Sequence, residues 1–197
     1  MHKYLVTAAL FFTTPLLVAQ SAAPVAPASW KAKVNQSLPR LGHRNWILIV
    51  DSAYPLQTSP GIETVETNDS QLDVLRYVLA SVNSSIHVRP VITMDAELPF
   101  LTDEDAPGVT AYRKVLISQL KGLPVESLLH DRIIASVAEA ASQFHVLVLK
   151  TNLAIPYTSV FVRLDCKYWS ADAESRLRAK IAAAAQSPTP TREVPNN

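Results

Sequence analysis

A histidine and an aspartate bracket the first strongly apolar segment of the chain. In "LGHRNWILIVD", residues 41–51, His43 precedes the run and Asp51 ends it. An imidazole and a carboxylate could together move a proton near neutral pH. Eight residues of strand would separate them by about 26 Å at ~3.3 Å each, so a shared site requires a chain reversal or a second subunit. The pattern by itself favours structural roles, with His43 in a loop or helix cap and Asp51 capping a strand.

A second candidate lies near the start of a later strand. In "AIPYTSV", residues 154–160, Tyr157 and Ser159 are two positions apart and should share one face. A phenol that offers both a ring and a hydroxyl, next to a short polar group, suits a sugar. The alternative is a tyrosine that merely packs where the strand begins.

An acidic segment, "TMDAELPFLTDEDAPG" at residues 93–108, holds a third set of candidates. Paired carboxylates could perform acid/base chemistry or bind calcium, but the Asp-x-Asp-x-Asp-Gly spacing of a calcium loop is absent. A solvated acidic loop is the favoured interpretation. Glu97 is its one member that we retain as a candidate binding residue.

Several common site motifs are absent, and this excludes whole classes of function. The chain has no G-x-S-x-G, no G-x-G-x-x-G and no P-loop, and it contains only four glycines. Its five histidines show no H-x-H or H-x-x-x-H spacing, and its single cysteine cannot build a thiolate metal site. We therefore expect neither a cofactor nor a metal.

The first residues resemble an export signal. Residues 1–22 carry a positive charge near their start, at Lys3, continue through a short apolar run and end in small residues. This layout predicts a cleaved signal peptide. A retained anchor is the weaker alternative. A Pro/Ala linker at 23–29, a domain at 30–185 and a disordered tail at 186–197 should follow. The expected location is periplasmic or secreted, without stable membrane insertion after cleavage.

The charge and the cysteine count constrain partners and stability. Loss of Lys3 lowers Lys+Arg from 18 to 17, which equals the 17 Asp+Glu and leaves a net charge of zero. Such a chain has no electrostatic attraction to nucleic acid or to an anionic membrane. Cys166 is the only cysteine, so the core or an oligomer must hold the fold without an intrachain disulfide.

Apolar runs alternate with amphipathic segments along the predicted domain. Strands are expected at 46–51, 86–95, 145–150 and 159–164, and helices at 69–82, 108–122, 131–144 and 170–185. Pro90 indicates an edge or a bulge in the second strand. This alternation predicts an α/β fold with a mainly parallel sheet flanked by helices, in which ligands sit beyond the carboxyl ends of the strands. Asp51 and Asp95 both stand at such ends.

Two end segments carry a family resemblance. "LPRLGHRNWILIVDSAYP" resembles the opening of the D-ribose pyranase and L-fucose mutarotase family, in which a helix leads through Leu-Gly-His into a strand and then Asp-Ala. The eight-residue spacing from His43 to Asp51 is the family's spacing. "LKTNLAIPYTSVFVRL" resembles the family's closing strand, loop, Tyr-x-Asn and final strand, with Ser159 in place of the asparagine. The acidic segment is loosely similar to the fucose branch.

This resemblance implies a cofactor-free sugar isomerase of α/β fold that forms ring-like, often decameric, oligomers with sites between neighbouring subunits. It implies that His43 is the acid/base, that Asp51 orients or binds hydroxyls and that Tyr157 holds the sugar. Ser159, which replaces the family's asparagine, is retained as a candidate binding residue. The ribose branch has a second histidine 22 residues before the tyrosine. That ungapped position is Ala135 here, and His130 lies five residues earlier as a candidate binding residue. The 170–185 helix is an addition to the family's usual length.

The sequence thus predicts an exported homo-oligomeric sugar mutarotase or pyranase that acts on a monosaccharide such as ribose or fucose. Two other classes remain open. One is a module that keeps the sugar pocket without turnover, which the altered Ser159 and the missing second histidine favour. The other is a structural or envelope protein whose C-terminal helix contacts a partner.

Overall fold

A computed structural model describes residues 29–186. The predicted signal peptide, and nearly all of the predicted linker and tail, lie outside the described residues. Within that range no helix is both long enough and apolar enough to cross a membrane.

Six strands form one sheet in the order β2-β5-β1-β6-β3-β4. Every neighbouring pair is parallel except the two pairs made by β6, which runs antiparallel to both β1 and β3. The mainly parallel α/β prediction is therefore confirmed. The strands are β1 (Trp46–Val50), β2 (Ile62–Glu66), β3 (Val88–Asp95), β4 (Val125–Leu128), β5 (Val146–Lys150) and β6 (Val160–Cys166).

Five α-helices connect and flank these strands. They are α1 (Trp30–Ser37), α2 (Gln71–Ser84), α3 (Val109–Leu120), α4 (His130–Ala141) and α5 (Ala171–Gln186). Hydroxyl side chains begin the first two: Ser29 accepts the Ala32 N–H and Ser70 accepts the Asp73 N–H. Short 3-10 turns follow α1 and β3.

The two faces of the sheet are covered differently. Ile47 and Ile49 of β1 point into a core formed with α1, α2 and α3, while Leu48 and Val50 point into a smaller core under α4. Because β1 and β5 are buried on both faces, they read as continuous apolar runs rather than as alternating ones.

Two short strands, β2 and β4, were not predicted from the sequence. β2, with the sequence "IETVE", is half-exposed, and β4 is exposed along most of its length, because each lies at one edge of the sheet. Short polar edge strands lack the apolar pattern that identifies buried ones.

Pro90 lies in an internal strand but meets a local edge. β4 pairs with β3 only from Ile92 onward, and the Ile92 N–H donates to Pro124 O beside it. The nitrogen of Pro90, two residues earlier, faces the same side. Its missing N–H therefore falls where the β4 ladder has not yet begun.

Candidate functional site

Polar residues from four segments meet at the end of the sheet where the parallel strands finish, and the strand directions explain why. Asp51 follows β1, Asp95 ends β3 and His130 comes two residues after β4. β3 and β4 are parallel, and β1 and β3 both run antiparallel to β6 between them, so all three strands point the same way. β6 runs the opposite way, so its first residue, Val160, pairs with Ile49 and Met94. Ser159 therefore lies at the same end of the sheet, where β1, β3 and β4 finish. We call this end the carboxyl edge, as distinct from the lateral edges formed by β2 and β4.

A cleft of about 350 Å³ opens at the carboxyl edge. This volume is at the small end of the ~300–1,000 Å³ range of small-molecule sites. Three segments line it: the residues after β1, the start of α4 and the loop before β6. The lining residues are Asp51, Ser52, Ala53, Tyr54, Pro55, His130, Ala154, Ile155 and Pro156.

Asp51 is fixed by two hydrogen bonds. Its Oδ1 accepts the Ala53 N–H at 2.8 Å, and its Oδ2 accepts the Ser159 hydroxyl at 3.1 Å. Ser159 is buried, so its hydroxyl orients Asp51 from behind while Asp51 itself lines the cleft. The structure thus brings together two residues that lie 108 positions apart in sequence.

Asp95 and His130 form the second polar pair of the site. The Asp95 side chain has no exposed surface, and its Oδ1 lies 2.9 Å from His130 Nδ1. Burial raises the pKa of the Asp95 carboxyl above its usual value, although the hydrogen bond and charge of His130 oppose the rise. The other carboxyl oxygen, Oδ2, is buried and has no hydrogen-bond partner within the described residues.

Glu97 contacts the backbone of His130 rather than the cleft. The His130 N–H donates to both Glu97 oxygens, at 3.0 and 3.2 Å. Leu129, the cap residue of α4, has no polar side chain, so Glu97 satisfies a free N–H at this helix start from a distant segment. Its place is beside the cleft, as a support for His130.

Tyr157 stands edge-on to His130. The two ring centroids are 5.7 Å apart with an interplanar angle of 87°. Tyr157 has a φ of 55°, which side-chain-bearing residues seldom adopt. The next residue holds this turn: the Thr158 hydroxyl donates to Ile155 O at 2.7 Å, and Thr158 O accepts the Tyr112 hydroxyl at 3.3 Å. Strained backbone of this kind is frequent at functional sites.

The carboxylates give the cleft a negative field. Burial, followed by the charges of Asp51 and Asp95, raises the pKa of Tyr54 to about 12. Burial and then Asp51 also raise the pKa of Tyr112. The nearby Lys150 is turned to the backbone, where its Nζ donates to Tyr54 O at 2.9 Å.

His43 lies at the opposite edge of the sheet, which we call the amino edge. It precedes β1 and lines a separate cavity of about 440 Å³ with Arg89, Asp165, Trp169 and Glu174 among its other walls. The backbone here is tied to the end of β6, since the Arg44 N–H donates to Leu164 O at 2.9 Å. One chain therefore does not bring His43 to Asp51, in keeping with the distance expected from the strand length.

Comparisons with known proteins concern the fold. RbsD of Bacillus subtilis, solved with D-ribose, is similar with 17% identity and a TM-score of 0.49, over 74% of this chain and 98% of that one. The fucose mutarotase of Streptococcus pneumoniae, solved with L-fucose, has 16% identity and a TM-score of 0.44, over 68% and 91%. FucU from Bifidobacterium longum has 16% identity and a TM-score of 0.45, over 68% and 94%. No family model and no curated protein matches the chain. The likeness is one of fold.

The structure thus gathers five of the six predicted site residues around one cleft and leaves His43 apart. Four of the five lie there as cleft walls or supports, namely Asp51, His130, Ser159 and Glu97, and Tyr157 stands against His130. The sequence analysis missed the pairing of Asp95 with His130, although the position of Asp95 at a strand end was a signal. No group of three His, Cys, Asp or Glu side chains within residues 29–186 is arranged to hold a metal ion.

Proposed function

We propose that this protein binds a monosaccharide in the carboxyl-edge cleft and interconverts its anomeric or ring forms without a cofactor. The observation that carries the proposal is that Asp51 and His130 line one small cleft while the ring of Tyr157 packs edge-on against His130. A carboxylate accepts sugar hydroxyls, a phenol both donates and accepts, and an aromatic ring packs against C–H surfaces. The sequence resemblance to the ribose pyranases and fucose mutarotases supports the same substrate class.

The reaction needs only proton transfer. A base removes the proton of the anomeric hydroxyl, an acid protonates the ring oxygen, and the opened sugar rotates and closes again. Under this proposal His43 is an acid/base residue that a neighbouring copy supplies, because its own chain holds it at the amino edge. The protein would then be a homo-oligomer, and the sequence resemblance is to a family of ring-like, often decameric, assemblies.

NMR magnetisation exchange between sugar forms tests this function directly. The purified protein would be mixed with ribose, fucose, galactose or glucose, with His43→Ala and buffer alone as controls. We expect faster exchange for at least one sugar and its loss in His43→Ala. A folded protein that accelerates none of the four would contradict the mutarotase assignment.

A binding protein without turnover is the second candidate. It is favoured by the position of His43, which leaves one chain with an incomplete set, and by Ser159, whose hydroxyl is already bonded to Asp51. Saturable binding of a sugar by titration calorimetry, without any acceleration of exchange, would identify it.

We also propose, from the character of residues 1–22, that the protein is exported to the periplasm or beyond the cell. Fractionation of the native host followed by N-terminal sequencing tests this. A protein found in the cytoplasm with Met1 or His2 as its first residue would contradict it.

A further inference from the structure

Behind the cleft wall lies a group with no role in the proposed function so far, the buried carboxyl of Asp95. A side chain with no exposed surface cannot contact a sugar in the cleft, yet Asp95 lies directly behind a residue that can. Burying a carboxyl is costly, and its Oδ2 lacks a hydrogen-bond partner among the described residues. Such a costly arrangement is typical of a group whose position serves chemistry rather than stability.

The contact with Asp95 determines what His130 presents to the cleft. When Asp95 is ionised its carboxylate can only accept, and in that state the Nδ1 atom of His130, 2.9 Å away, carries the hydrogen. The neutral ring then has its lone pair on Nε2. About a third of the His130 side chain is exposed, and it forms part of the cleft wall.

Three contacts hold His130 in place, two of them to its ring and one to its backbone. Asp95 bonds its Nδ1, Glu97 bonds its backbone N–H, and Tyr157 packs against it edge to face. The first two come from β3 and the turn after it, and the third from the loop before β6. A residue fixed from separate segments keeps one orientation, which proton transfer requires.

We propose that His130 is a second proton-transfer residue of this cleft and that Asp95 is its positioning residue. This inference rests on the proposed function and extends it, since sequence analysis gave His130 only a binding role. Asp51 and Tyr54 line the cleft together with His130. Asp95, Glu97 and Tyr157 contact His130, and no Lys or Arg is among the cleft-lining residues. A proton taken up by His130 therefore meets a negative surrounding.

The proton transfers balance as follows. Nε2 of His130 takes the proton of the anomeric hydroxyl, whose electron pair forms the carbonyl at C1 while the bond from C1 to the ring oxygen breaks. The ring oxygen takes a proton from the protonated His43 of the neighbouring copy. After rotation about the C1–C2 bond, closure reverses each transfer and returns both histidines to their starting states. No oxidant, reductant or further reactant is needed.

The test compares two histidines that each face a carboxylate. His130→Gln is measured beside His145→Gln, because His145 lies 3.5 Å from Glu63 at the amino edge and touches no part of the cleft. Exchange rates are recorded at saturating sugar, and sugar affinity is measured separately by calorimetry. We expect the saturating rate to fall about 100-fold or more in His130→Gln, by a larger factor than affinity, and to be unchanged in His145→Gln.

Failure of this inference and failure of the proposed function give different results. If the unaltered protein accelerates exchange and His130→Gln keeps its saturating rate, or loses affinity alone, His130 is only a binding residue and the inference is overturned. If the unaltered protein accelerates no sugar, the proposed function fails and the role of His130 fails with it.

Asp95→Asn tests the positioning role by a readout that a structural role would not move. The variant is nearly isosteric, so far-ultraviolet circular dichroism should show an unchanged fold. We expect a saturating rate reduced about tenfold or more with unchanged sugar affinity, and loss of the low-field proton resonance of His130 Nδ1. An unchanged rate, or an unaltered protein without that resonance, would contradict the role of Asp95.

Discussion

A histidine faces a carboxylate at each edge of the sheet, and the two pairs differ in their surroundings. At the carboxyl edge the Asp95 side chain is fully buried and lies 2.9 Å from His130, which opens onto a cleft. At the amino edge His145 and Glu63 are 3.5 Å apart, and each side chain is more than a third exposed. Solvent screens the second pair, so its interaction contributes little to stability.

The difference extends to the neighbouring groups. Glu63 also pairs with Lys33, so its charge is compensated at the surface. Asp95 lies instead near Asp51 and Glu97, which add to the negative field around it. Equal residue types therefore lead to a surface ion pair in one place and to a candidate proton-transfer pair in the other, and burial decides between them.

Among changes that compare the carboxylates of the two edges, removal of Asp51 should have the largest effect. Asp51→Asn eliminates a charged acceptor for sugar hydroxyls, and charged hydrogen bonds are worth about 1.5–3 kcal/mol. We expect sugar affinity or exchange to fall about 10- to 100-fold by calorimetry and NMR. Glu63→Gln, which removes a carboxylate at the amino edge, should leave both unchanged, and an equal loss in the two variants would refute the division between the edges.

Mixing two impaired variants, one altered at each edge, should restore part of the exchange activity. His43→Asn and Asp51→Asn each disable one component, but a site built from two copies regains both in a mixed oligomer. Random assembly restores about a quarter of the sites. Co-expression and exchange NMR measure this recovery, and complete absence of activity in a verified mixed oligomer would exclude sharing of His43 between copies.

The amino edge should be sensitive to packing rather than to chemistry. An alanine side chain at Gly61 would press on the carbonyl oxygens of Ala141 and Phe144, whereas one at Gly42 would meet nothing within 4 Å. Because those oxygens are backbone atoms, we expect Gly61→Ala to lower the free energy of unfolding by about 1–3 kcal/mol. Gly42→Ala should stay within about 0.5 kcal/mol in urea unfolding. Equal stabilities would contradict the tight packing at Gly61.

The smallest effect concerns stability and pH. Burial raises the folded-state pKa of Asp95, so its contribution to stability is present below the unfolded value of about 3.9 and is lost as pH rises through the folded pKa. Asp95→Asn removes this loss and should gain stability relative to the parent as pH rises from the unfolded value of about 3.9 through the folded-state pKa of Asp95. Glu63→Gln should show no such trend in urea unfolding, and a relative loss for Asp95→Asn at neutral pH would reverse the assigned sign.

Local sequence determined most of the elements and the general position of the site. Continuous apolar runs identified β1 and β5, and the 3.6-residue period identified α2 to α4, because burial of each element depends on its own side-chain pattern. Strand ends placed Asp51 and Asp95 where ligands bind in such sheets. The exposed edge strands escaped prediction, since exposure leaves no apolar pattern.

Only the tertiary structure decided which residues meet. Asp95 and His130 are 35 positions apart, and Asp51 and Ser159 are 108 apart, so their contacts depend on strand order and on the reversed direction of β6. Ala135, the position given by the spacing of the resemblance, lies within α4, whereas His130 at the start of α4 lines the cleft and contacts Asp95 at the end of β3. Register and direction arise from packing between distant segments, and no single stretch of sequence records them.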